Sequence, residues 1–131
     1  MAWMDDKFEE YLDTGAFVIV PHSFLKLVSP VSVEPKKPRW ICGHRVLNEY
    51  LVPPNMRYDD LNAFRKELVQ GDVLFTVDLA AGYNHVTVAA DTRPYMGGKW
   101  GSRTFTCAAQ SYGCSISPFV FQRITKALGM H

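Results

Sequence analysis

The sequence predicts an α+β fold, an antiparallel sheet of short strands with helices packed on it. Three observations carry that reading. Short β-forming runs recur between Gly- and Pro-marked turns. Apolar residues fall at helical spacing in three separate places, near the start, the middle and the end. Lys36-Lys37-Pro38 reads as a tight turn between two runs, which makes neighbouring strands antiparallel.

The elements follow in order. Met4, Phe8, Tyr11 and Leu12 share one face of a first helix. Asp6 and Glu9 are spaced for a capping box at its start, and Gly15 for its stop. Residues 17–20 form a short strand or extended segment before Pro21. Residues 25–33 read as a strand interrupted by Pro30, hence an edge or bulged one. Residues 40–46 return as its hairpin partner, and Pro53-Pro54 marks an extended connector over 50–57. Asp59-Asp60 opens a second helix with acids at its positive end, with Leu61, Phe64 and Leu68 on one face and Gly71 as the stop. Residues 73–77 read as the central strand and 86–88 as a short return strand. Residues 91–101, with Gly97-Gly98, read as a turn, and 103–108 as a further strand. Ser117-Pro118 predicts a last helix, Ser as cap and Pro at its first position, with Val120, Phe121, Ile124 and Leu128 on its apolar face and Gly129 at its end.

At 131 residues the chain amounts to at most one ordinary domain, or a piece of a larger one, and its 47% hydrophobic content excludes wholesale disorder. A net charge of +1 gives no global case for a nucleic-acid binder, so that case rests on local clusters. Cys42, Cys107 and Cys114 form no CxxC pair, and no histidine stands at a zinc-finger spacing from them. An odd cysteine count argues for reduced thiols and an intracellular location. No apolar run approaches the ~18 residues of a membrane span, and the acidic start is no signal peptide.

The chemistry gathers in three stretches. In Phe75-Thr76-Val77-Asp78-Leu79-Ala80-Ala81-Gly82-Tyr83 a carboxylate ends an apolar run, where an ionised acid is costly unless paired or bound to a cation. A strand-end acid capping a turn is the plainer account of the same residue. Lys36, Lys37, Arg39 and Arg45 fall together with no acid after Glu34 until Glu49, which makes an anion clamp or a solvated hairpin tip. Tyr112-Gly113-Cys114-Ser115-Ile116 places flexible backbone and a hydroxyl before a helix start, suited to a phosphate or sugar or simply to a connection.

Taken in this order, the segments resemble a reverse transcriptase from about Phe17 onward. Arg39-Trp40-Ile41-Cys42-Gly43-His44-Arg45-Val46-Leu47-Asn48 looks like the family's fingers motif, which ends in Arg-x-Leu-Asn. The Phe75 to Tyr83 stretch looks like its first palm motif, and Tyr112-Gly113-Cys114-Ser115-Ile116-Ser117-Pro118 followed by Phe119 looks like its second. The variant from Asp78 to Val86 looks closest to retrotransposons of the DIRS type. The resemblance implies the fingers and partial palm of a right-hand polymerase, with about 1–53 and 89–116 fingers-like and about 54–88 and 117–131 palm-like. It implies that Asp78 and the Leu79 carbonyl hold catalytic Mg2+. Tyr83 would stack under the sugar and exclude a 2′-hydroxyl. Arg39, helped by Lys36 or Lys37, would grip the triphosphate, while Gly113 and the turn up to Ser117 let template and incoming base approach. The implied partners are an RNA or DNA template-primer, deoxynucleoside triphosphates and the remainder of the polymerase domain, with no membrane.

The sequence also departs from the family. Gly43 stands where Asp is usual, Gln110-Ser111 where Leu-Pro is common, and Tyr112 and Cys114 replace Phe and Leu. The family's aspartate pair does not occur before His131, and Asp72 stands six strand residues, roughly 20 Å, from Asp78. The expectation is therefore a polymerase portion inactive alone, or a non-catalytic nucleic-acid-binding remnant of a retroelement. A hydrolase is disfavoured, because Gly113-Cys114-Ser115-Ile116-Ser117 lacks the second glycine of a nucleophile elbow.

Overall fold

The computed structural model describes residues 2–58 and 60–129. Helix α1 (Ala2–Asp13) opens the chain and buries Phe8 and Tyr11, two of the four residues that set its apolar face. It begins before Asp6, so Asp6 and Glu9 lie inside it and form no cap. Gly15, at φ +75°, supplies the left-handed turn that follows the helix.

Strand β1 (Phe17–Ile19) pairs antiparallel with β5 (Arg103–Cys107), and β5 pairs in turn with β4 (Gly97–Trp100). A second antiparallel pair joins β2 (Val31–Val33) to β3 (Trp40–Cys42). The two sheets meet where Ser29 bridges Gly98 and the Ser29 N–H donates to the Gly97 carbonyl at 2.8 Å. Against them lies an aromatic core. Phe8 is 0% exposed, with its ring 5.6 Å from Trp40 and 5.3 Å from Phe105, while Phe17 stacks on Phe105 at 4.4 Å. Such ring pairs add about 0.5–1.5 kcal/mol each to simple area burial.

Gly97-Gly98 is a strand, not the expected turn. Neighbouring backbone comes too close there for side chains: a Cβ on Gly97 would run into the carbonyl of Phe105 on the adjoining strand β5, and one on Gly98 would lie 2.7 Å from that of Ser29. The run over 25–33 is strand only at β2, which begins directly after Pro30. Its partner ends at Cys42. The Gly43 N–H turns to the Pro30 carbonyl at 2.7 Å, and the chain enters helix α2 (Arg45–Glu49) instead of continuing extended.

Helix α3 (Leu61–Glu67) opens as expected on Asp60, whose side chain accepts from the Ala63 N–H at 2.7 Å. Asp59, the other acid expected there, lies outside the described residues. Leu61, Phe64 and Leu68 are exposed, so this helix presents its apolar face to solvent.

The expected central strand over 73–77 is not formed. Val73 is 90% and Phe75 85% exposed, and no described strand pairs with them. β-propensity does not make a strand; a ladder partner does. Asp72 closes a local turn instead, its carboxylate accepting from the Val69 N–H at 2.7 Å. The expected return strand over 86–88 reduces to a single bridge, Thr87 to Ala109.

Helix α4 (Ser117–Ala127) forms where expected, with Pro118 in its first turn. Ile116 occupies the cap position, and Ser117 is not the cap. Its hydroxyl turns inward to Gln110 and to the Ser111 carbonyl.

Candidate functional site

Asp78, Leu79 and Tyr83 line one cleft of about 410 Å³ together with Tyr112, Phe121 and Thr125. The turn that shapes it begins at Ala81, at φ +49°, the one non-glycine residue with positive φ among the described residues. That conformation costs a side-chain-bearing residue free energy and persists only where surroundings enforce it. A 3-10 turn (Gly82–His85) follows, and α4 presses on it: a Cβ on Gly82 would lie 2.7 Å from the Phe121 ring. The small residues before Tyr83 thus admit a neighbouring helix.

Tyr83 stands with its ring 5.4 Å from Phe121, edge to face, and 5.0 Å from Tyr112. Arg39 lies over that second ring, its guanidinium carbon 5.2 Å from the centroid. Burial raises the Tyr83 phenol above its ordinary value; Tyr58 and Tyr112 add to this and the Arg39 charge works against it. The phenol therefore stays a neutral hydrogen-bond donor at physiological pH. Asp78 is exposed and makes no hydrogen bond or ion pair among the described residues.

The loop that carries Tyr112 is locked in place by a residue the sequence reading passed over. Asn48, last residue of the Arg-x-Leu-Asn motif, donates from Nδ2 to the Gly113 carbonyl at 2.8 Å and accepts from the Ser115 N–H at 2.9 Å. The Tyr112 carbonyl accepts from the Cys42 N–H at 3.1 Å. Gly113 stands at φ +106° directly against the Cys42 carbonyl. Asparagine's paired donor and acceptor were the available signal, since one amide can bridge two backbone groups of a loop. Asn48→Ala should lower stability by about 2 kcal/mol, two net hydrogen bonds' worth, measured by urea denaturation.

The other expected residues are placed differently. Lys36 and Lys37 sit exposed at the β2–β3 hairpin tip; the Lys36 backbone N–H donates to Glu34 Oε1 at 3.4 Å, and neither ammonium group makes a hydrogen bond or ion pair among the described residues. Ser117 is 0% exposed, its hydroxyl committed to Gln110 and Ser111, so it braces the loop from beneath. No group of three or more metal-ligating side chains among the described residues includes Asp78. Two Mg2+ ions in such a site share one or two carboxylates each, completed by waters and substrate phosphates, and a single carboxylate does not hold both. The residues present therefore do not by themselves build such a site.

No protein-family model and no curated protein matches the sequence. Among solved structures, the chain is similar to the foamy viral protease–reverse transcriptase determined in complex with double-stranded DNA. The TM-score is 0.75 at 17% identity, over 91% of this chain and 21% of that one. The fold is thus reverse-transcriptase-like, mixed helix and antiparallel sheet, and the chain spans about a fifth of that relative's length. Among the described residues no helix is long and apolar enough to cross a membrane.

Proposed function

We propose that this chain is the nucleotide-binding corner of an RNA-directed DNA polymerase, comprising fingers (about 1–53 and 89–116) and part of the palm (about 54–88 and 117–131). The supporting observation is the cleft: Asp78, Leu79 and Tyr83 of one motif meet Tyr112 of another and, through it, Arg39 of the third. The three stretches that carry the reverse-transcriptase resemblance, far apart in sequence, thus lie around one cleft, which supports the reading. The Asp78 to Val86 variant favours a DIRS-type retrotransposon as source.

In this reading Arg39, with Lys36, Lys37 and Arg45, meets phosphates of a triphosphate or template-primer, and Tyr83 lies under the sugar. The uncovered residues of 73–77 and of α3 are the surface on which the rest of the palm packs, bringing the further acids that Mg2+ requires. Without them the chain binds nucleic acid and does not extend it.

The test is primer extension on an RNA template with Mg2+, beside a salt titration of binding. The expected result is no extension and weak binding, independent of sequence. With four basic side chains, log affinity should fall with log salt at a slope no steeper than about −3.6. Magnesium-dependent extension by the 131-residue chain, or salt-insensitive binding, would contradict the proposal. In a chain continued through the palm, Tyr83→Ala should raise ribonucleotide over deoxynucleotide incorporation on the order of tenfold, the scale on which a pocket discriminates one small group. An unchanged ratio would make the tyrosine a packing residue only.

A further inference from the structure

Apart from the residues that line the cleft, two side chains from different sheets and one from the start of α2 converge in the core. Cys42 on β3, Cys107 on β5 and His44 just before α2 are each no more than 1% exposed, and their ligand-capable atoms all lie within 4.8 Å of one another. We propose that Cys42, His44 and Cys107 form a zinc site that ties the β2–β3 pair to the three-stranded sheet.

The geometry already has the required scale. The two sulfurs are 3.8 Å apart. Two thiolates at Zn–S distances of about 2.3 Å on a tetrahedral ion stand about 3.8 Å from each other. The imidazole is held as a zinc-bound histidine is held. Nδ1 lies 2.9 Å from the buried Ser29 hydroxyl, which fixes the ring and, with Nδ1 protonated, makes Nε2 the ligand atom, its lone pair passing from the Ser111 hydroxyl to the metal on binding. Nε2 lies 3.1 Å from the Ser111 hydroxyl, which places an oxygen beside the fourth position. Trp40, two residues before Cys42 on the same face of β3, has its indole N–H buried without a hydrogen-bond partner. A Cys42 thiolate is an acceptor for it to turn towards.

Charge also balances. Zn2+ displaces the two thiol protons to solvent and leaves a neutral Zn(thiolate)2 unit, the form in which charges are tolerated in an apolar interior. Cys42 and Cys107 stand 65 positions apart, so the ion closes a long loop across the two sheets. In the sequence Cys42-x-His44 matches no zinc-finger spacing, and only the fold brings Cys107 to it.

The test uses the full chain, reduced with a phosphine and freed of metal. Zn2+ is titrated against a chromophoric chelator, and Co2+ serves as a spectroscopic probe. One equivalent of zinc should bind and raise Tm, and Co2+ should show a thiolate charge-transfer band with the intense visible bands of a tetrahedral ion. Cys42→Ser and Cys107→Ser should abolish that band, whereas Cys114→Ser should keep it. Ser29→Ala, which keeps all three ligands, should weaken zinc binding about 10–100-fold. Should the cysteine variants fail to fold, the wild-type titration and Ser29→Ala decide the matter. No zinc uptake by the reduced protein, a cobalt spectrum without the sulfur band, or unchanged affinity in Ser29→Ala would overturn the proposal. So would oxidation to a Cys42–Cys107 disulfide in a protein that takes up no metal when reduced.

Discussion

Asp78→Asn, in a chain continued through the remaining palm acids, is expected to abolish primer extension while leaving the fold and template binding nearly intact. The fall should be on the order of 10³-fold or more, the scale seen when a group stabilising transition-state charge is removed. The structure makes this a clean substitution. Asp78 is exposed at the cleft wall and has no hydrogen bond or ion pair among the described residues. Removing its charge therefore disturbs no packing, and stability should change by less than about 0.5 kcal/mol. Template affinity, which in the proposed reading comes from Lys36, Lys37, Arg39 and Arg45, should hold. Retained extension would show that Asp78 is only an acid at the start of a turn.

Gly113→Ala is expected to cost about 4 kcal/mol and to lower Tm by more than about 10 °C, read by thermal and urea denaturation. Two effects add. At φ +106° a side chain is strained wherever it stands, by about 1–3 kcal/mol. The new Cβ would also overlap the Cys42 carbonyl, whose neighbouring N–H holds the Tyr112 carbonyl, so β3 and the loop must move apart at about 1–3 kcal/mol more. Because that loop carries Tyr112, the ring that meets both Tyr83 and Arg39, cleft binding should weaken with it. A variant as stable as the parent would mean the loop has room that these contacts deny.

Local signals read well where an element is stabilised by its own neighbours. The Phe8–Tyr11 face of α1, the opening of α3 at Asp60 and the Pro118 start of α4 each need only a few adjacent residues, and each is present. Strands fared differently, because pairing is decided by residues far away. The 103–108 run found β1 and β4 and became β5, while the equally β-prone 73–77 found no partner among the described residues. Gly97-Gly98 misled in the opposite sense, since glycine marks both turns and close sheet contacts and only the tertiary approach distinguishes them.

Asp78 and Tyr83 are singled out by the resemblance of their stretch, and Arg39 by its motif and basic cluster; the first two line one cleft, and Arg39 lies over the Tyr112 ring that borders it. The inward turn of Ser117 depends on Gln110 and Ser111, which no local pattern links to it. The Cys42–His44–Cys107 cluster was equally hidden, a contact between strands that belong to different sheets.

In the proposed reading the three motifs form one nucleotide-binding surface. Backbone amide shift mapping of the labelled 131-residue chain with a primer-template and a deoxynucleoside triphosphate tests it most directly. The perturbed amides should be those of Leu79, Gly82, Tyr83, Tyr112 and Gly113 together with Lys36, Lys37 and Arg39, reversing as salt is raised. Perturbations confined to α1 and β1, or none at concentrations where binding is measured, would contradict it.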